Sequence, residues 1–356
     1  MTAGVPGRRR TGVGREVPAL ARTAVEAGGV GLVDHPLAAL GPEDVELSIT
    51  LCGLCGADVV VYQADPVVDW VAPGTVLGQE AVGVVTATGL LVPDWPSHGD
   101  RVVPQAVVGC GRCEACVADR PEDCPRGSSL GLGRNGTAAG RAIVPWRSLL
   151  PVPEGLPDTT AVLTEPASIA WRAAAVVGRI SPGDRVAVST TRAIGLIAAL
   201  VAKSLGADVV MVGREGPLHE RRQMLADSLG LRTITDPDPD SVDVWLEASG
   251  SGKQLTTAVQ ALKPGGRLVL VAVYATGTQQ SVKTIPGKKL EALISYASGR
   301  KDYEAALQFL TTVPWLGEKL VRVYPMDQAV HALHHSAEGT DAEGNLLLKA
   351  VLRPNG

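Results

Sequence analysis

Four cysteines, Cys110, Cys113, Cys116 and Cys124, are spaced C-x2-C-x2-C-x7-C in the segment CGRCEACVADRPEDC. Thiols at that density suit a tetrahedral metal, because four thiolates close the shell of a structural zinc and leave no position open for chemistry. An iron–sulfur cluster and a set of reduced surface thiols are the other two readings of the same spacing. All six cysteines fall between residues 52 and 124. That layout is poor for disulfides serving the whole chain and suits metal or reactive thiolates within one domain.

The elements that must hold these residues come in two textures. From about 20 to 150, short apolar runs broken by Gly and Pro (DVELSITLC, AVGVVTATG, GDRVVPQAVV, GRAIVPW) read as strands of a β-rich domain. From about 153 helix and strand alternate: TTAVLTEPASIAWRAAAVV and AIGLIAALVAKSLG as helices, and RVAVST, DVVMVG, VDVWLE and RLVLVAVY as strands. Strands apolar along their whole length, separated by helices, mark a parallel sheet covered on both faces. The chain is therefore expected to be α/β, with a loose tail over 1–20, a β-rich domain over 21–154 and a doubly wound domain over 155–292. Residues 293–356 supply two helices near 300–311 and 326–337 and the apolar strand NLLLKAVL, returning to the first domain.

Composition narrows the partners. A length of 356 residues suits two domains, each able to bury its own core. A net charge of −4 gives no reason to expect nucleic acid or an anionic membrane. No uninterrupted apolar run reaches the ~18 residues of a bilayer span. The arginine-bearing N-terminus lacks the apolar core of a secretory signal, so a cytoplasmic address is expected.

Further motifs add to the four-cysteine segment: CGLCGAD at 52–58, GQEAVG at 78–83, GDRV at 99–102, TEPASIAW at 164–171, LGADVV at 205–210, LEASG at 246–250 and LKPGGRLVLV at 262–271. With them the chain resembles the zinc-dependent medium-chain dehydrogenases, in particular the sorbitol, glucose and threonine dehydrogenase branch, over about 40–353. The resemblance implies a GroES-like catalytic domain joined to a Rossmann dinucleotide-binding domain, a homodimer or homotetramer, and a small polyhydroxylated substrate such as a sugar, polyol or cyclitol. It also implies a catalytic zinc on Cys55, Glu80 and Glu165, with Gln79 at the position where the family has a histidine ligand, and Asp58 orienting the site. An amide is a poorer zinc ligand than imidazole. Cys52 is either a second thiolate or a small hydrophobe at a strand end. Where the family passes its proton through Ser or Thr, this chain has Ala57, leaving Glu80, Tyr62 or a metal-bound water to take it.

A dinucleotide fingerprint needs glycines where backbone approaches pyrophosphate at a helix N-terminus. At this place stand Ser189, Thr190, Thr191, Arg192, Ala193, Ile194 and Gly195, and only the last glycine remains. Either nucleotide binding is lost, or the three hydroxyls and the Arg192 guanidinium contact phosphate in place of bare backbone. After the second strand of this domain, Gly213 and Arg214 replace the carboxylate that NAD enzymes set against the ribose. A cation there suits the 2′-phosphate of NADP(H), with Arg221 and Arg222 on the next helix adding charge.

Overall fold

A computed structural model describes residues 14–274 and 284–355. Two large sheets organise the chain. The first has strands in the order Val321–Pro325, Lys349–Arg353, Asp44–Gly53, Glu80–Thr88, Arg101–Pro104 and Leu149–Pro151, with Arg141–Pro145 also paired to Asp44–Gly53. Val45, Leu47, Ile49 and Leu51 are buried along its central strand. The strands Val321–Pro325 and Lys349–Arg353 thus complete a sheet begun near residue 44, through the pairing of Leu352 with Cys52 and Val351 with Gly53.

The second sheet is entirely parallel, in the order Arg232–Ile234, Asp208–Val212, Arg185–Ser189, Val242–Glu247, Leu262–Leu270 and Glu291–Ile294. Its strands carry β-branched residues on both faces because helices cover both sides. Order reverses between Arg185–Ser189 and Val242–Glu247, which lie side by side, and this is where an open α/β sheet offers its crevice. Helix Ala193–Ser204 is buried along most of its length, and helix Thr164–Trp171 packs against it, against helix Arg300–Thr312 and against strand Glu80–Thr88. Thr164–Trp171 therefore joins the two halves.

Three boundaries differ from the sequence reading. The 1–20 tail lies outside the described residues as far as residue 13, but Glu16–Arg22 is a strand paired with Val30–Pro36. It is fixed because Val17, Ala19, Leu20 and Ala21 are buried and Arg22, itself fully buried, donates to the carbonyls of Val68 and Val71 at 2.7 and 2.8 Å. The strand expected as RLVLVAVY begins at Leu262, five residues early. The expected 292/293 domain boundary falls inside strand Glu291–Ile294, which stays in the parallel sheet. Among the described residues no helix is long and apolar enough to cross a membrane.

Candidate active site and metal centre

The four-cysteine segment folds into a lobe around a short helix, Glu114–Val117, and a 3-10 turn, Pro121–Asp123. The Sγ atoms of Cys110, Cys113, Cys116 and Cys124 all lie within 4.8 Å of one another. Cys113 and Cys124 are 3.7 Å apart, close to the edge of about 3.8 Å that a tetrahedron with 2.3 Å Zn–S bonds requires. The Cys110 N–H donates to Cys124 Sγ at 3.3 Å, and Arg126 donates to Cys110 Sγ at 3.2 Å. Gly109 is needed here, since a Cβ would meet the Cys116 sulfur. Backbone N–H donors, that of Arg112 foremost, pull the Cys110 thiol down to about 6, while burial pushes Cys116 up to about 12. These residues fit zinc, which would cross-link the lobe and do no chemistry. The lobe docks through Glu122, which faces Arg172 at 3.5 Å, while Arg172 holds Asp302 at 2.9 Å. Cys116→Ser should leave zinc near zero by elemental analysis and lower the melting midpoint by roughly 5–10 °C in calorimetry; an unchanged midpoint would show that the lobe is held by its own packing.

The residues expected to hold a second zinc share one pocket, where helix Thr164–Trp171 meets the first sheet. Cys55 precedes helix Gly56–Tyr62, and Asp58 on that helix accepts the N–H of Cys55 at 2.8 Å and of Gly78 at 3.0 Å. Both Asp58 oxygens are thus spent on tying the Cys55 loop to the loop that carries Gln79. Gly78 sits at φ +89°, where a Cβ would strike Cys52 Sγ and Ala138. Cys52 is fully buried, with its sulfur 3.4 Å from the Thr137 hydroxyl. Gln79 is half-buried and its amide has no protein partner among the described residues.

A residue outside the expected set dominates this pocket. Lys349 donates to Glu80 Oε1 at 2.5 Å and is ion-paired with Oε2, which has no hydrogen bond of its own. The two side chains are only 7% and 2% exposed. Burial pulls the Lys349 ammonium down, but Glu80, Cys55 and Glu165 more than offset it, and Lys349 stays charged. Burial pushes Glu80 up against the pull of Lys349. Burial, reinforced by Glu80, pushes the Glu165 carboxyl up to about 8, and burial likewise raises the Cys55 thiol far above its ordinary value.

Cys55, Glu80 and Glu165 by themselves do not form the close ligand set that the motifs suggested for a catalytic zinc. Zinc bonds of 2.0–2.3 Å bring ligand atoms within about 4 Å of each other. Among the described residues, only the four-cysteine cluster gathers three or more Cys, His, Asp or Glu donors that closely. Cys55, Glu80 and Glu165 do not, Glu80 is committed to Lys349, and Gln79 brings no imidazole. Lys349 was visible in the sequence as the one cation inside NLLLKAVL. A charge in a buried strand must be paired, though nothing nearby said with what.

At the carboxyl end of the parallel sheet, Ser189 lies opposite Glu247. The Ser189 hydroxyl donates to Glu247 at 3.0 Å and accepts the Ala248 N–H at 3.1 Å. It is fully buried and braces the turn, so it is not the phosphate donor that the sequence suggested. Glu247 also accepts the Ser249 N–H at 3.0 Å and the Tyr274 hydroxyl. Thr190 takes φ +83° at the first fingerprint position, a region that favours glycine. Thr190→Gly should therefore stabilise the chain by about 1 kcal/mol in urea unfolding; a destabilised variant would mean that its hydroxyl outweighs the strain. Gly195 is retained because a Cβ would collide with the Thr190 carbonyl. Arg192 caps helix Ala193–Ser204 without a side-chain hydrogen bond, and no acidic residue occupies the first turn. The N–H groups of Ala193 and Ile194 therefore stay with an open helix N-terminus, a ready site for pyrophosphate.

Beside this turn, the His219 imidazole lies over Gly213 where a Cβ would be, and it meets the Thr191 hydroxyl at 3.3 Å. Burial, then the positive charges of Arg192 and Arg214, pull Arg222 down to about 10. Burial, then Arg222 and Arg214, lower His219 as well. Arg222 Nε and His219 Nε2 are buried without partners. Arg221, in contrast, is turned away to the Gly344 carbonyl. His219 was not singled out from the sequence, where a lone histidine in a polar helix carries no signal.

A family model described as an alcohol dehydrogenase GroES-like domain matches residues 41–154, and one described as a zinc-binding dehydrogenase matches residues 193–312. The chain is a medium-chain dehydrogenase/reductase. It belongs to the zinc-type alcohol and polyol dehydrogenase family, an oxidoreductase family that uses nicotinamide cofactors. The dehydrogenase is 28% identical to an L-threonine 3-dehydrogenase of Stenotrophomonas maltophilia over 321 residues, covering 85% of this chain and 91% of that one. It is also similar to alcohol dehydrogenase TADH from Thermus sp. ATN1, with a TM-score of 0.80 and 28% identity over 94% of this chain and 99% of that chain. A zinc-binding dehydrogenase of Sinorhizobium meliloti 1021, solved with NADP, shares the fold of this dehydrogenase, with a TM-score of 0.82 at 23% identity over 95% and 99% of the two chains.

Proposed function

We propose that this chain is an NADP(H)-dependent dehydrogenase that interconverts a secondary alcohol and a ketone on a small polyhydroxylated molecule. A dihydronicotinamide cofactor, held through the N-terminus of helix Ala193–Ser204, would supply the hydride that a ketone carbon takes up together with a proton at its oxygen, and its oxidised form would take hydride back from the alcohol. The observation that carries the cofactor choice is the cationic group of Arg192, Arg214 and Arg222 with His219. Arg192 and Arg214 disfavour the charge of Arg222, none of the three arginines has an ion-pair partner among the described residues, and Arg214 follows the position from which a ribose-binding carboxylate is missing. A dianionic 2′-phosphate would relieve that repulsion. The secondary-alcohol substrate is supported by the L-threonine 3-dehydrogenase relatives, and its polyhydroxylated character rests on the family resemblance alone.

Titration with NADPH and NADH, followed through quenching of the six tryptophans, tests the reading. NADPH is expected to bind at least tenfold more tightly than NADH. No binding of either at millimolar concentration would remove the dehydrogenase assignment and leave only the architecture. The edge strand Glu291–Ile294, flanked by exposed Ile294 and Tyr296, supports a homodimer joined across this edge. Ile294→Lys is then expected to shift the chain to monomer in sedimentation, and a wild-type monomer refutes the dimer. Six cysteines free of disulfides among the described residues fit a reducing cytoplasm.

A further inference from the structure

Strand register explains how Lys349 comes to lie where it does. The Leu54 N–H donates to the Ala350 carbonyl at 2.9 Å, so the Lys349 strand runs beside the end of Asp44–Gly53, and Glu80 lies opposite Gly53 on the far side. Between them Gly53 has no side chain. A Cβ there would run into both Glu80 and the Lys349 Cε, so the glycine opens the path by which the ammonium crosses one strand to reach the carboxylate. The charge of Lys349 is felt by Cys52, Cys55, Asp58, Glu80 and Glu165. It is thus the internal counterion of the whole acidic pocket. A divalent ion in this pocket would have to take Glu80 away from Lys349, face the ammonium at close range, and do so without an imidazole at position 79.

We infer that this dehydrogenase holds zinc only in its four-cysteine lobe, because Glu80 is committed to Lys349 and Gln79 stands where an imidazole ligand would be needed. Without a Lewis acid the hydride acceptor must carry its own activation, as an electron-poor ketone, a conjugated carbonyl or an iminium does. This deepens the redox reading above, but the metal content can be measured apart from it.

The test is elemental analysis of the purified full chain, loaded with excess zinc and then desalted. About one zinc per chain is expected in wild type, in Cys55→Ser and in Glu165→Gln, and near none in Cys116→Ser. Cobalt substitution gives a second measurement that needs no variant to be stable to heat: the visible spectra of wild type and Cys55→Ser should superimpose. About two zincs in wild type, falling to about one in Cys55→Ser, overturns the inference, as does a cobalt band that Cys55→Ser removes. NADPH titration of the same samples separates the two claims. Two zincs with tight NADPH binding removes only the metal-free pocket, and one zinc with no NADPH binding removes only the redox reading.

Discussion

Lys349→Met lowers the unfolding free energy by about 3–5 kcal/mol, the range for stripping one partner from a buried ion pair. Glu80 is then left 2% exposed with a charge that burial already disfavours. The nearby Asp58 adds to the unfavourable field. Lys349→Met/Glu80→Leu, which removes both charges, should recover most of the loss, because two apolar side chains of similar volume replace the pair without stranding either charge. Urea unfolding followed by circular dichroism reads both variants. A loss under about 1 kcal/mol for the single variant would place the pair among solvent-screened bridges and contradict the burial on which the pocket depends. The double variant is expected to be folded and inactive, which separates the stability role of Lys349 from its part in the pocket.

Arg214→Ser with Arg222→Ala weakens NADPH binding by roughly 100- to 1000-fold while NADH affinity changes less than about threefold. Hydrogen bonds to a charged group contribute about 1.5–3 kcal/mol each, which is roughly 10- to 150-fold per arginine, and the two share one ligand and are not fully additive. Raising the salt concentration should weaken NADPH binding to wild type and have little effect on the double variant. Equal losses for both cofactors would mean that the arginines serve the common part of the nucleotide, and the NADP assignment would go. The usual route toward NAD, a carboxylate at position 213, is closed to a single substitution here. The Gly213→Asp side chain would meet the His219 ring, so NADH affinity should rise in Gly213→Asp/His219→Ser and not in Gly213→Asp alone.

Much of the site was legible because it is local. Four thiols within fifteen residues meet at one point whatever else the chain does, since the connecting segments are too short to separate them far. The parallel sheet was equally plain: VDVWLE is the strand Val242–Glu247 residue for residue, because an apolar run of that length between helical patterns has few other places to go. Cys55, Glu80 and Glu165 were singled out through motifs, and the folded chain brings them near enough to feel one another's charge. The strand Glu16–Arg22 was missed because EVPALAR, with a proline and two charged ends, has weak strand character until Ala19 and Leu20 find a buried face.

From sequence alone, spacing and periodicity determined the α/β architecture and the clustering of four cysteine sulfurs, because each rests on residues close together in the chain. Tertiary structure alone decided which charges are neutralised. Lys349 and Glu80 are 269 residues apart, and only the completion of the first sheet by the final strand brings the ammonium over Gly53 to the carboxylate. Likewise the register of the parallel sheet set Ser189 against Glu247, the loop before the final strand took Arg221 at Gly344, and Arg222 has no ion-pair partner among the described residues. A charge's chemistry depends on its partner and on its distance from water, and long-range folding sets both.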